Sequence, residues 1–247
     1  MIKYQQSLAY DRDGYVLVED VFSGAEVRAM IGAIEGEGRV AEKAYNMADT
    51  SGKSARLALW NELGDDIWAA ASTHPGIVNT TRMLMREDIA FFHGKVMLKE
   101  ARSGGAWEWH QDYGYWYNEG FLFPRLLSAF VALDEATIEN GCLQVLRSSH
   151  LMGRLDHGQA GGQTGTDARR IEAAEQCLER LHVEMKPGSV LFFHSNTLHT
   201  SAPNESDTHR RSFIVCYTAQ SNPQFRDGQW ITRPACPTGA GLNAFVG

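Results

Sequence analysis

From Ile89 to Thr218 the chain is written in short β-type runs separated by Gly, Pro, Asn and Asp. The candidate strands are Ala90–Lys99, Trp107–Asp112, Ser128–Leu133, Gly141–Val145, Ser189–His194 and Arg210–Thr218. Short strands of this kind bury their apolar faces by pairing into sheets and closing on one another. With a helical lead-in before them, they predict a mainly β fold with flanking helices, a double-stranded β-helix of the jelly-roll or cupin type. The mouth of such a barrel is a natural ligand site.

The lead-in, about residues 1–88, reads as mainly helical after a short strand at Gly14–Val18. Ser23 followed by Glu26 forms a capping box, and Val27, Met30, Ile31 and Ile34 give the helix behind it one apolar face. A second helix is expected near Ile77 to Met85, with Pro75 in its first turn. The barrel, about residues 89–218, carries an insert over about 153–183. There a glycine-rich loop, Gly158–Gly165, leads into a helix over Asp167–Leu181, and residues 219–247 form a C-terminal extension. Residues 1–247 read as one domain.

Hydrophobic residues make up 43% of the chain and charged residues 21%, enough for a sizeable core. The formal net charge of −7 and the lack of Lys/Arg runs argue against nucleic acid or an anionic membrane as partner, leaving a small-molecule substrate. Cys142, Cys177, Cys216 and Cys236 are widely spaced with no CxxC pair, the pattern of reduced thiols. With no apolar leader and no stretch near the ~18 apolar residues of a membrane span, a soluble cytoplasmic protein is expected. The sequence carries no signal of oligomeric state.

Chemistry concentrates in two segments. In Trp109-His110-Gln111-Asp112, strand periodicity puts His110 and Asp112 on one face. Two imidazoles and one carboxylate on one face suit a non-haem Fe(II) oxygenase. The second segment runs from Phe192 through His194, His199, Ser201 and Asn204 to Arg210 and Arg211. It offers a third ligand, His199 or His194, and an Arg whose fork can take a carboxylate. Adjacent strand residues face opposite sides, and Arg210-x-Ser212 sets a hydroxyl beside the guanidinium, which favours Arg210 over Arg211. On Phe91–Lys99, alternation groups Phe91, His93, Lys95, Met97 and Lys99 on one face and Phe92, Val96 and Leu98 on the other. Among the aromatic residues flanking the metal motif, Tyr113 and Trp116 are candidates for a substrate wall. Arg154, His157 and Gln163 would meet an anionic substrate group if residues 153–165 act as a lid.

In ordered series the chain resembles the phytanoyl-CoA dioxygenase (PhyH) family of Fe(II)/2-oxoglutarate oxygenases, over about residues 10 to 218. The matching pieces are Asp13-Gly14-Tyr15, His93 with Lys99, Trp-His-Gln-Asp, Asn140-Gly141-Cys142-Leu143 through Ser148-Ser149-His150, His199-x-Ser201-x-x-Asn204 and Arg210. The resemblance implies an iron triad of His110, Asp112 and His199. It also implies 2-oxoglutarate contacts from Arg210, Lys99, Ser128 and Ser201. His199, not His194, stands the family distance from Ser201, Asn204 and Arg210. The implied reaction uses Fe(II), 2-oxoglutarate and O2, and releases succinate and CO2 while hydroxylating an unactivated C–H. The substrate class implied is an amino-acid derivative, organophosphonate or secondary metabolite. A halogenating relative would lack the Asp112 carboxylate. Desaturation, epoxidation or ring formation would keep the same triad, and a metal-binding sensor of cupin type would need neither Arg210 nor Lys99.

Overall fold

In a computed structural model, residues 4–160 and 162–246 are described; Gly161, part of the expected lid loop, lies outside them. The chain opens with α1 (Tyr4–Asp13), β1 (Tyr15–Val18), α2 (Gly24–Glu35) and α3 (Arg39–Lys43). It continues through β2 (Ala44–Ala48), β3 (Ser54–Trp60), α4 (Ile67–Ser72), α5 (Pro75–Met85) and β4 (Ile89–Lys99). Next come β5 (Trp107–His110), α6 (Asp112–Asn118), β6 (Leu126–Ala132) and β7 (Leu143–Leu146). The hairpin β8 (His157–Ala160) and β9 (Gln163–Thr166) precedes α7 (Ala168–Glu175). The last strands are β10 (Arg180–Val183), β11 (Val190–His194), β12 (His199–Ser201), β13 (Arg210–Ala219), β14 (Gln224–Arg226) and β15 (Gln229–Ile231).

A large antiparallel sheet, ordered β1-β11-β6-β13-β4-β3-β2, faces a smaller one, β10-β7-β12-β5. This is the expected double-stranded β-helix with helices outside. The central strands β11, β6, β13 and β4 are buried on both faces, and alternation sorts their side chains into two cores. Leu127, Ala129 and Val131 of β6, with Phe213, Val215 and Tyr217 of β13, pack outward against the helices. Leu126 and Phe130, with Ile214 and Cys216, point inward toward the small sheet.

The helical starts follow local chemistry. Ser23 accepts from Glu26 N while Glu26 Oε2 accepts from Ser23 N, so the expected capping box closes α2. Pro75 occupies the first turn of α5. Between α1 and β1, Gly14 adopts φ +84°, and a Cβ there would lie 2.4 Å from His150 Nδ1. Its carbonyl accepts from His194 N and Thr197 Oγ1, tying the lead-in to the end of β11.

Several expectations need correction. The lead-in is not only helical: β2 and β3 form a hairpin that extends the large sheet, with Arg56–Trp60 laddered to Gly94–Leu98 of β4. The helix expected over Asp167–Leu181 ends at Glu175, and Leu181 belongs to β10. The glycine-rich loop folds as the β8–β9 hairpin. The strand expected through Asp112 stops at His110, and Asp112 begins α6. Finally, Phe91 and Phe92 exchange faces because β4 bulges: Phe91 pairs with Tyr217 and His93 with Cys216, leaving Phe92 as the extra residue. Phe91 therefore joins the helix-side core, while Phe92 and His93 both turn inward.

No helix among the described residues is long and apolar enough to cross a membrane. All four cysteines are free thiols.

Candidate active site

His110, Asp112 and His199 meet between the two sheets, with potential ligand atoms all within 4.8 Å of one another. His110 ends β5 and pairs across the ladder with His199 of β12. Gln111 keeps extended backbone (φ −109°, ψ 133°), so strand alternation persists one residue beyond the ladder and delivers Asp112 beside His110. The turn is fixed by the buried Gln111 amide. It donates to the carbonyls of Gly153 and Asn196 and accepts from Leu155 N. Asp112 Oδ1 lies 3.7 Å from His110 Nε2 and 4.0 Å from His199 Nε2.

The donor set fits a divalent metal. Each imidazole meets a backbone carbonyl through Nδ1, His110 at Glu108 (2.7 Å) and His199 at Thr197 (2.9 Å), which leaves Nε2 for a metal. Burial, then the neighbouring His110, pushes His199 down to about 3, against the pull of Asp112. A neutral imidazole, the form that ligates, is therefore held through the neutral range. Burial alone would raise the Asp112 carboxyl. The Lys95 charge, with the dipoles of the neighbouring His110 and His199 rings, outweighs it and keeps the group ionised. Ser128 Oγ donates to Asp112 Oδ2 at 2.6 Å and fixes the carboxylate plane.

Two recesses open from this centre. The narrower is lined by His110, His199, Ser201, Lys95, Phe130 and Arg210 among others. Arg210 is 2% exposed, its guanidinium lies 5.7 Å from the Phe130 ring, and it makes no ion pair among the described residues. Burial lowers Arg210 to about 10, with Cys142 and Asp134 opposing, so it stays a cation at neutral pH. Its neighbour Arg211 points the other way and pairs with Asp134 and Glu35. The wider recess, about 690 Å³, runs from His110 and Asp112 to the surface. Its walls include Tyr45, Met47, Leu57 and Leu59 of the β2–β3 hairpin, Trp107, Trp116, and Phe225 to Asp227 of the C-terminal hairpin.

The structure gathers some of the anticipated residues here and places others elsewhere. His194 stays apart: it packs on His150 and accepts from Asn196 N. Ser128 serves Asp112, and Lys99 does not line either recess at the metal. Lys99, paired across the ladder with Arg210, donates to the carbonyls of Ser201 (3.2 Å) and Ala202. The lysine that faces the centre is Lys95, two register steps away on the same face. Tyr113 is interior, donating to the Phe121 carbonyl, while Trp116 does line the wide recess.

The three residues expected on a lid are structural. Arg154 lies over the Tyr117 ring and pairs with Asp156. His157 Nε2 accepts from Gln111 N, and the buried Gln163 side chain bridges Ala106 O and Glu108 N. The wall residues from β2 and β3 lie in the lead-in expected to be mainly helical. The turn Thr50-Ser51-Gly52-Lys53, flanked by Tyr45-x-Met47 and Leu57-x-Leu59, was the signal that could have found them. Phe225 to Asp227 carried no comparable signal.

Two facing sheets with two imidazoles and a carboxylate on one side, beside a buried guanidinium, define the class of non-haem iron oxygenases. The phytanoyl-CoA dioxygenase (PhyH) family model matches residues 10–212, and the chain belongs to that family. It is a 2-oxoglutarate-dependent non-haem iron dioxygenase. Among curated relatives, the L-proline trans-4-hydroxylase of Streptomyces griseoviridis is 28% identical over 230 residues, covering 86% of this chain and 85% of the relative. The ectoine dioxygenase of Sphingopyxis alaskensis is 27% identical over 238 residues, covering 90% and 77%. Among solved structures, EctD from S. alaskensis with 2-oxoglutarate and 5-hydroxyectoine superposes with a TM-score of 0.79 at 22% identity. It covers 97% of this chain and 88% of that one, a likeness of fold.

Proposed function

We propose that this chain hydroxylates an unactivated C–H of a small polar or anionic molecule. In this reading His110, Asp112 and His199 hold Fe(II), and Arg210 holds the far carboxylate of 2-oxoglutarate. The observation that carries it is Arg210, a buried cation without a counter-ion in the recess that begins at His110 and His199. An isolated buried charge is costly unless a ligand compensates it. A dianionic acid that reaches from the metal to the guanidinium supplies that compensation, with Ser201 lining the same recess.

Bound iron with 2-oxoglutarate and O2 supplies the C–H oxidation, and succinate and CO2 leave. The protein's own part is orientation and exclusion of water. The Glu108 and Thr197 carbonyls fix both imidazoles, Ser128 holds one Asp112 oxygen, and Phe193 packs on His199 at 4.7 Å between ring centres. Trp107 and Trp116 wall the approach from the wide recess, where a substrate would meet the centre. Small polar substrates accord with the relatives, whose names specify L-proline and ectoine.

Fe(II) and 2-oxoglutarate added without oxygen should give a weak visible charge-transfer band that His110→Ala abolishes. A wild-type protein showing neither the band nor succinate on admission of O2 would sink the assignment.

A further inference from the structure

The floor of the wide recess carries two groups that neither ligate the metal nor hold the far carboxylate of 2-oxoglutarate. His93 is 5% exposed, lines the recess, and has Nδ1 buried without a hydrogen-bond partner. Lys95 lines both recesses and makes no hydrogen bond or ion pair among the described residues. Both stand on β4 beside the metal ligands.

Their shared direction is built by the bulge at Phe92. Phe91 packs on the helix side, so unbroken alternation would send His93 there too. The extra residue reverses the phase, and His93 and Lys95 turn inward together while Gly94 between them backs onto Trp60. A bulge disrupts the ladder locally, and beside active sites it serves to re-aim a side chain. His93 is then held edge-on by Trp116 and Phe92, ring centres 5.7 and 4.8 Å away.

We propose that His93 and Lys95 form the subsite for a carboxylate on the primary substrate, whose apolar body lies along Leu57, Trp107 and Trp116. The inference rests on the functional reading above and names its substrate class. Charge balance selects the anion. Fe(II) and Arg210 contribute three positive charges, and Asp112 and 2-oxoglutarate three negative ones. Lys95 is left over, and a monocarboxylate neutralises it. Arg233, over the Phe92 and Phe121 rings, is offset by Glu119, and the Arg226–Asp227 pair sits exposed at the outer rim, where solvent screens it. Lys95 supplies the point charge, and His93 a ring nitrogen that donates from its neutral tautomer. Anchoring one end of the substrate there leaves the carbons next to it facing His110 and Asp112.

The test is calorimetry on Zn(II)-substituted protein saturated with 2-oxoglutarate, so that no turnover intervenes. The titrants are matched pairs: 3-phenylpropanoate with 3-phenylpropanamide, and cyclohexanecarboxylate with cyclohexanecarboxamide. Each acid should bind roughly 10-fold or more tighter than its amide. At saturating 2-oxoglutarate Lys95→Met should erase that preference, and Lys95→Arg should retain it. Acids that bind no better than amides, or not at all, overturn the proposal. So does a Lys95→Met protein that keeps the preference. Wild-type protein that binds no 2-oxoglutarate fails the functional reading instead, and the two failures are separable.

Discussion

Arg210 shows how one residue can be a liability to the fold and an asset to the site. Its guanidinium is buried and faces no carboxylate among the described residues, whereas Arg211 next to it is paired twice. Replacing an uncompensated buried charge with an apolar side chain of similar length removes a desolvation cost. Arg210→Met should therefore melt no lower than wild type in the absence of ligand. It should also lose the stabilisation that 2-oxoglutarate confers, with affinity down roughly 10- to 100-fold by calorimetry. A variant that still binds 2-oxoglutarate at wild-type affinity refutes the role. At this scale the sequence was informative wherever strand alternation applied. It separated Arg210 from Arg211 and brought Asp112 beside His110. It did not separate Lys99 from Lys95, which share a face, because face alone does not say how far along a strand a lysine reaches into the centre.

At the scale of elements, the segment anticipated as a lid braces the strand that carries His110. The side chain of Gln163, on β9, accepts from Glu108 N and donates to Ala106 O in the β5 segment, and His157 accepts from Gln111 N. Gln163→Leu leaves both backbone groups unpaired, a cost of roughly 2 to 4 kcal/mol. The urea midpoint should drop accordingly, with metal affinity weakened as β5 loosens. An unchanged midpoint with only a raised KM would restore the lid. Glycine-rich composition announced a loop because Gly158, Gly162 and Gly165 weaken the strand signal. The strands were held by long-range partners that no local pattern contains. The same reason hid the exchange of faces between Phe91 and Phe92, since a bulge is settled by the register of β13 and not by the residues of β4 alone.

Across the whole molecule, the large sheet separates a helix-backed core from the reactive interior, and the largely enclosed His194 at the end of β11 makes stability depend on pH. Burial, then the charge of His150, pushes His194 down to about 4 from 6.5. The unfolded chain therefore takes up the proton first as pH falls, and the native state loses stability from about pH 6.5 toward 4. Above 6.5 the contribution is complete; at the acid end its loss approaches roughly 3 kcal/mol. Melting temperature measured from pH 7.5 to about 4.5 should decline less steeply for His194→Gln than for wild type. Parallel curves would exclude His194 as the source. The architecture as a whole was legible because short alternating runs after a helical lead-in admit few closed forms. The β2–β3 extension of the large sheet was not, since its edge position shows only in the pairing with β4.

The wide recess takes its rim from Phe225, Arg226 and Asp227, beyond the last strand of the barrel and beyond residue 212, where the family match ends. Every group proposed for the metal or for 2-oxoglutarate lies upstream of that boundary. Selectivity can thus diversify at the tail while the oxidising apparatus is inherited intact. Exchanging residues 220–246 between relatives is the natural graft for redirecting such an enzyme to a new substrate.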